Sequence, residues 1–226
     1  MTATVDYYFT SASPFTYLGH QPLRTVLSKH GATVRVKPVN LMGVWEISGA
    51  VPPAKRPPVR QRLRLVELQR IADFRGMPIN KTPRHWPVDP ALSDHVIAAL
   101  IAGGHDPMSY MERVFAAVWA NEENIADPDT LAKYLELEKF DAASVLEAAQ
   151  SEAIAAIRAQ NTKDAVKADA VGVPTYVLNG EAFFGQDRVE YLDHALATGR
   201  APITPWSLSP PRLRQAGPQC RQAPRR

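Results

Sequence analysis

The sequence predicts an α/β fold in which a small sheet is interrupted by a long helical block. Three observations predict it. A strand–helix–strand pattern fills the first forty or so residues. Roughly 100 residues of helical periodicity follow. Two short strand-like runs joined by Asn179-Gly180 then precede a last helix.

Residues 3–9 (ATVDYYF) are β-branched and aromatic, as a buried strand requires. Ser13 and Pro14 open a helix, because Ser is a favoured N-cap and the missing N–H of Pro costs nothing at the first helical position. Phe15, Leu18, Leu23, Val26 and Leu27 form its apolar stripe, Pro22 is expected to kink it, and Gly31 ends it. Residues 33–39 alternate as a second strand, so the opening favours a parallel pair with a right-handed crossover. Residues 48–58 read as loop. Helical patterns are expected over 59–76, 91–103, 107–121, 127–137 and 141–169, with Asp127 or Asp129 and Asp141 as caps. The four prolines of 77–90 make that stretch irregular. Thr175–Leu178 and Ala182–Phe184 form the hairpin. Asp187, with Glu190 three residues on, is expected to cap a last helix over 189–197.

This order divides the chain into a sheet-bearing unit (1–50 and 170–200), a helical insertion (51–169) and a tail (201–226). The tail holds six prolines and five arginines and no acid, and it is expected to be mostly disordered, with Trp206 as an anchor. The net charge of +3 is therefore a property of the tail, and the rest of the chain stands near about −2. A basic face with interleaved aromatics is absent from the body, which argues against nucleic acid as a partner. No run of about 18 apolar residues suggests a membrane span. MTATVDYYF lacks the basic and apolar regions of a signal peptide, and Cys220 is the single cysteine, so a cytoplasmic location is expected. The six histidines show no metal-binding spacing, and no metal is expected.

β-α-β, a helical insertion, then a hairpin and a helix is the thioredoxin topology with helices inserted in its middle. Enzymes of that fold carry Cys-x-x-Cys between the first strand and first helix, where the free N–H groups and dipole of the helix stabilise a thiolate. Here Ser13-Pro14-Phe15-Thr16 occupies that place. The site keeps the anion-stabilising geometry and lacks sulfur, so the sulfur is expected to arrive with a ligand. Gly172-Val173-Pro174-Thr175 is the second signal. A cis Val173–Pro174 bond opposite the helix would expose a backbone N–H and C=O to an extended, peptide-like ligand. Ser11 is the rival hydroxyl, and Thr16 reads as a packing residue.

Three segments carry a family resemblance: YYFTSASPFTYLGHQPL (7–23), VFAAVWANEENIADPDTLA (114–132) and GVPTYVLNGEAFFGQDRVEYL (172–192). Together they resemble the 2-hydroxychromene-2-carboxylate isomerases, relatives of kappa-class glutathione transferases, over about residues 4–197. The resemblance implies a homodimeric, glutathione-dependent isomerase of naphthalene-like aromatic catabolism. It would interconvert 2-hydroxychromene-2-carboxylate, a small aromatic carboxylate, and trans-o-hydroxybenzylidenepyruvate. It also implies that Ser13 hydrogen-bonds the glutathione thiolate and that Val173 and Pro174 dock the tripeptide backbone. Gln186 and Asp187 would hold the γ-glutamyl end, and Arg60 the glycine carboxylate, where the family uses Lys. Phe15, Met42, Trp45 and Trp119 would line the substrate pocket. Ala50 and Val51 stand where kappa relatives have Asn-Lys. A kappa-like transferase or peroxidase is the nearest alternative, and a non-catalytic thioredoxin-like peptide-binding module is another. Cys220, in the tail, is expected to play no part in catalysis.

Overall fold

A computed structural model describes residues 2–205, 207 and 208. Trp206, Cys220 and most of the tail therefore lie outside the described residues. Strand β1 (Thr4–Phe9) leads into helix α1 (Pro14–His30) and strand β2 (Thr33–Pro38). β1 and β2 pair in parallel, with Thr4 opposite Thr33 and Phe9 opposite Pro38. Strand β3 (Thr175–Leu178) runs antiparallel to β1, and β4 (Glu181–Phe184) runs antiparallel to β3. The sheet order is β2-β1-β3-β4. Asn179 and Gly180 both take positive φ at the hairpin turn, the conformation for which Asn-Gly is selected.

Between β2 and β3 lie α2 (Leu41–Ser48), α3 (Pro58–Arg75), α4 (Ala91–Ala102), α5 (Met108–Trp119), α6 (Pro128–Leu137), α7 (Ala142–Ala149) and α8 (Glu152–Lys167). Helix α9 (Val189–Thr198) follows β4. The thioredoxin-like α/β architecture expected from the sequence, with its helical insertion, is the one observed. Asp127 caps α6 and Asp141 caps α7, as expected.

The structure corrects three local expectations. The helix expected over 141–169 is two helices, because Ser151 caps a new start: its Oγ accepts from the Ile154 N–H and donates to the Ala148 carbonyl at 2.7 Å. Asp187 does not cap α9; a 3₁₀ turn over Gln186–Arg188 intervenes, and Asp187 pairs with Arg188 instead. Helix α2 was not expected. Asn40 caps it by accepting from the Met42 N–H at 3.2 Å.

β1 is buried on both faces. Val5, Tyr7 and Phe9 join the main core, which continues without a break through Phe115, Met111, Leu131 and Leu135. The inserted helices thus share their core with the sheet. Tyr8 points the other way, into a second cluster with Val44 of α2, Ala165 of α8, Val173 and Val177. Period-two alternation of β1 therefore places helices on both sides of the sheet.

His20 is buried in the main core. Its Nε2 lies 2.9 Å from the Met108 carbonyl, and Nδ1 has no partner among the described residues. Burial pushes its pKa down from 6.5 to about 4. The unfolded chain therefore binds more protons between these values, so stability falls as pH drops from about 6.5 toward 4. We expect a loss of up to about 3 kcal/mol from this group across that window. Urea unfolding of wild type and His20→Asn at a series of pH values checks it: the variant should be less stable at pH 7 and show a shallower acid dependence.

Candidate active site

The site begins where β1 meets α1. Ser13 has extended backbone geometry and caps α1: its Oγ accepts from the Thr16 N–H at 3.2 Å. That bond occupies a lone pair of the hydroxyl. Its O–H proton has no acceptor among the described residues, so it is free to donate. Pro14 has no N–H, and the Thr16 N–H is spent on Ser13. The Phe15 N–H has no partner among the described residues. The helix therefore presents one free backbone N–H and one free hydroxyl proton at its positive end. Of the two backbone donors available in principle, Phe15 and Thr16, only Phe15 remains for a ligand.

Ser11 is excluded as the working hydroxyl. It is fully buried, and its N–H and Oγ–H both donate to Asp94 Oδ1 at 2.8 Å. Thr10 Oγ1 donates to Asp94 Oδ2 at 2.9 Å, and Arg158 of α8 adds two bonds to the same oxygen at 3.1 and 2.9 Å. Five hydrogen bonds, two of them from the Arg158 guanidinium, converge on this fully buried carboxylate. Burial raises its pKa, while Arg158 and the donors of Ser11 and Thr10 oppose that rise. The network fixes the Thr10–Ser13 loop to the inserted helices.

Ser13 opens on a cavity of about 800 Å³. Across it stands the loop before β3. The Val173–Pro174 peptide bond is cis, Thr175 Oγ1 donates to the Gly172 carbonyl at 2.8 Å, and the Gly185 N–H donates to the Pro174 carbonyl at 2.8 Å. Val173 lines the cavity, and its own N–H and C=O have no partner among the described residues. A Cβ at Gly172 would come within 2.9 Å of the Phe184 ring, which would have to shift.

Of the residues singled out from the sequence, Ser13, Phe15, Met42, Trp45, Arg60 and Val173 meet around this one cavity. Pro174 is buried directly behind Val173. Trp119 does not reach the wall; it is fully buried and backs Trp86, a wall residue, with ring centroids 4.8 Å apart. Gln186 is buried beside Gly19 and accepts from Arg75 through its carbonyl at 3.1 Å. Asp187 is exposed. Both lie just past Phe184, itself on the cavity wall, but outside the wall.

The sequence reading missed Arg64, Trp86, Arg158 and Phe184 on the wall and Asp94 behind it. Arg56 lies over the Trp45 ring (5.8 Å to its centroid), and Arg64 over Trp86 (5.9 Å). Nothing local marks these pairings, since the partners are far apart in the chain. Among the described residues no cluster suited to a metal ion occurs, and no helix is long and apolar enough to cross a membrane.

The family model for the DSBA-like thioredoxin domain matches residues 4–197. The chain belongs to that family. Within this DSBA-like family its relatives include the 2-hydroxychromene-2-carboxylate isomerase of Pseudomonas putida, 30% identical over 196 residues, 85% of this chain and 93% of that protein. The isomerase of the same name from Sphingobium xenophagum is 25% identical over 198 residues, 87% of this chain and 99% of that protein. A solved 2-hydroxychromene-2-carboxylate isomerase structure superimposes with a TM-score of 0.75 at 27% identity, covering 86% of this chain and 95% of that one. The chain is thus an isomerase-like member of the DSBA-like family.

Removing Asp94 tests the support of the site. Asp94→Ala strands the Arg158 charge and leaves the Ser11 and Thr10 donors unpaired. We expect a loss of about 3–5 kcal/mol in urea unfolding, with faster amide exchange at Ser11–Ser13. An unchanged unfolding midpoint would show that the network carries no weight.

Proposed function

We propose that this protein is a glutathione-dependent isomerase acting on a small aromatic carboxylate, interconverting 2-hydroxychromene-2-carboxylate and trans-o-hydroxybenzylidenepyruvate. The observation that carries the reading is the Ser13 hydroxyl. Its lone pair is engaged by the Thr16 N–H, and its proton is free at a helix N-terminus that faces a cis-proline loop across a cavity. The relatives that bear this enzyme name span nearly their whole length in the match, which supports the same reading.

The donor set fits glutathione. Unpaired N–H and C=O groups of Val173 offer antiparallel pairing to a peptide-like chain. Ser13 and the Phe15 N–H would meet its sulfur, Arg60 its glycine carboxylate, and Gln186 and Asp187, beyond Phe184, its γ-glutamyl end. Held by these residues, glutathione would supply the nucleophilic sulfur that the site lacks, the chemistry by which reversible addition to a conjugated carbon frees an adjacent bond to rotate.

The chain's own part is electrostatic. A free thiol titrates near about 8.5. Ser13 and the helix end favour the charged form, lowering that value by about a unit or more. Phe15, Trp45 and Trp86 supply an apolar wall for a flat ring, and the cavity arginines supply positive charge for its carboxylate. Asp94 holds the Ser13 loop without touching the ligand.

Ser13→Ala should slow isomerisation about tenfold at pH 7, with the loss shrinking as pH rises past the thiol pKa. Equal loss at every pH would reject the thiolate role. Glutathione at 100 times its dissociation constant should stabilise the wild type by about 2.7 kcal/mol, read as a rise in melting temperature. Turnover of chlorodinitrobenzene without turnover of the chromene would assign a transferase instead.

A further inference from the structure

Arg56, Arg60 and Arg64 recur every fourth residue along one wall of the cavity. Among the described residues none has a carboxylate partner. Arg56 Nε donates to the Val51 carbonyl at 2.6 Å, and Arg60 and Arg64 make no side-chain hydrogen bond. The other cavity arginine, Arg158, is neutralised by Asp94. Asp89 also lines the cavity, but it accepts from the Ala91 N–H at 2.9 Å and pairs with none of the three.

Arg64 stands apart within this group. Arg56 and Arg64 are half-buried, Arg60 is exposed, and burial pushes the pKa of both half-buried groups below the usual arginine value, but Arg56 has the Val51 carbonyl as an acceptor and Arg64 has none among the described residues. A guanidinium drawn out of water without a counter-ion is unfavourable in the free protein. The site gains that energy back when an anion enters. The guanidinium also lies over the Trp86 ring, which faces the same cavity. A planar cation on an indole beside an apolar wall matches a ligand with a carboxylate on a flat, apolar body.

We propose that Arg64 is the carboxylate anchor for the aromatic co-substrate, gripping both oxygens in a fork while Trp86 flanks the ring. The identity of the co-substrate rests on the isomerase reading; the anchor itself does not require turnover. Arg60, the exposed middle member of the row, is left for the tripeptide.

The test is calorimetric titration of the full chain with trans-cinnamate and with cinnamamide, its uncharged analogue, for wild type, Arg64→Gln and Arg64→Lys. Wild type should prefer cinnamate by about tenfold to a hundredfold, the usual range for a charge-assisted pair. Arg64→Gln should bind both alike, and Arg64→Lys should keep part of the preference. Glutathione affinity should stay within about twofold in both variants. Arg64→Gln should melt at or above wild type, because the lost charge had no partner, so its lost preference is not unfolding. The proposal is overturned if wild type shows no preference, or if Arg64→Gln keeps it. It is also overturned if the preference survives while glutathione binding falls about tenfold, which would assign Arg64 to the tripeptide. Wild type that prefers cinnamate, loses the preference in Arg64→Gln and yet does not isomerise the chromene would keep the anchor and sink the isomerase reading.

Discussion

One buried carboxylate holds the site in place. Asp94, from α4, takes hydrogen bonds from the β1–α1 loop and from Arg158 of α8, so three segments distant in the chain meet at two oxygen atoms. The network is satisfied, which is the condition under which buried polar groups confer rigidity. It also separates two hydroxyls only two residues apart. Ser11 is consumed as structure, and Ser13 is left free to act.

That division leaves a helix start without cysteine that can still donate to an anion. The N-terminus of α1 stabilises negative charge whatever atom carries it. With Ser-Pro-Phe-Thr in place, the helix supplies a cap, one open N–H and one open O–H, all beside a cavity of about 800 Å³. The opposite wall, from the cis-proline loop, contributes unpaired backbone groups, and the α3 wall contributes unpaired cations. These unused groups of Ser13, Phe15, Val173 and the α3 arginines belong to residues that line the same cavity.

Much of this was legible in the sequence where the signals are local. Ser13-Pro14, Asn179-Gly180, Asp127 and Asp141 each specify geometry within a few residues, and each appears as expected. The order of strands and helices was sufficient for the topology. Helix α2 was missed because eight residues with a glycine inside carry little periodicity, although Asn40 before an apolar run is a capping signal. The break at Ser151 was hidden by Ala-rich stretches on both sides, where propensity favours helix throughout. Asp94 and Arg158 had no readable signature: they are 64 residues apart, and an acid or base on an amphipathic helix normally faces water. Trp119 was expected at the pocket because an aromatic in that segment suits the role, but tertiary packing put Trp86 on the wall and Trp119 behind it.

The central claim is that this protein lends acidity to a sulfur it does not own. Ultraviolet titration of the thiolate band of glutathione, free and bound to the protein, measures that directly. The account requires the bound thiol to ionise at least about one pH unit below the free one, with the shift diminished in Ser13→Ala. A bound thiol that titrates like the free tripeptide would contradict it.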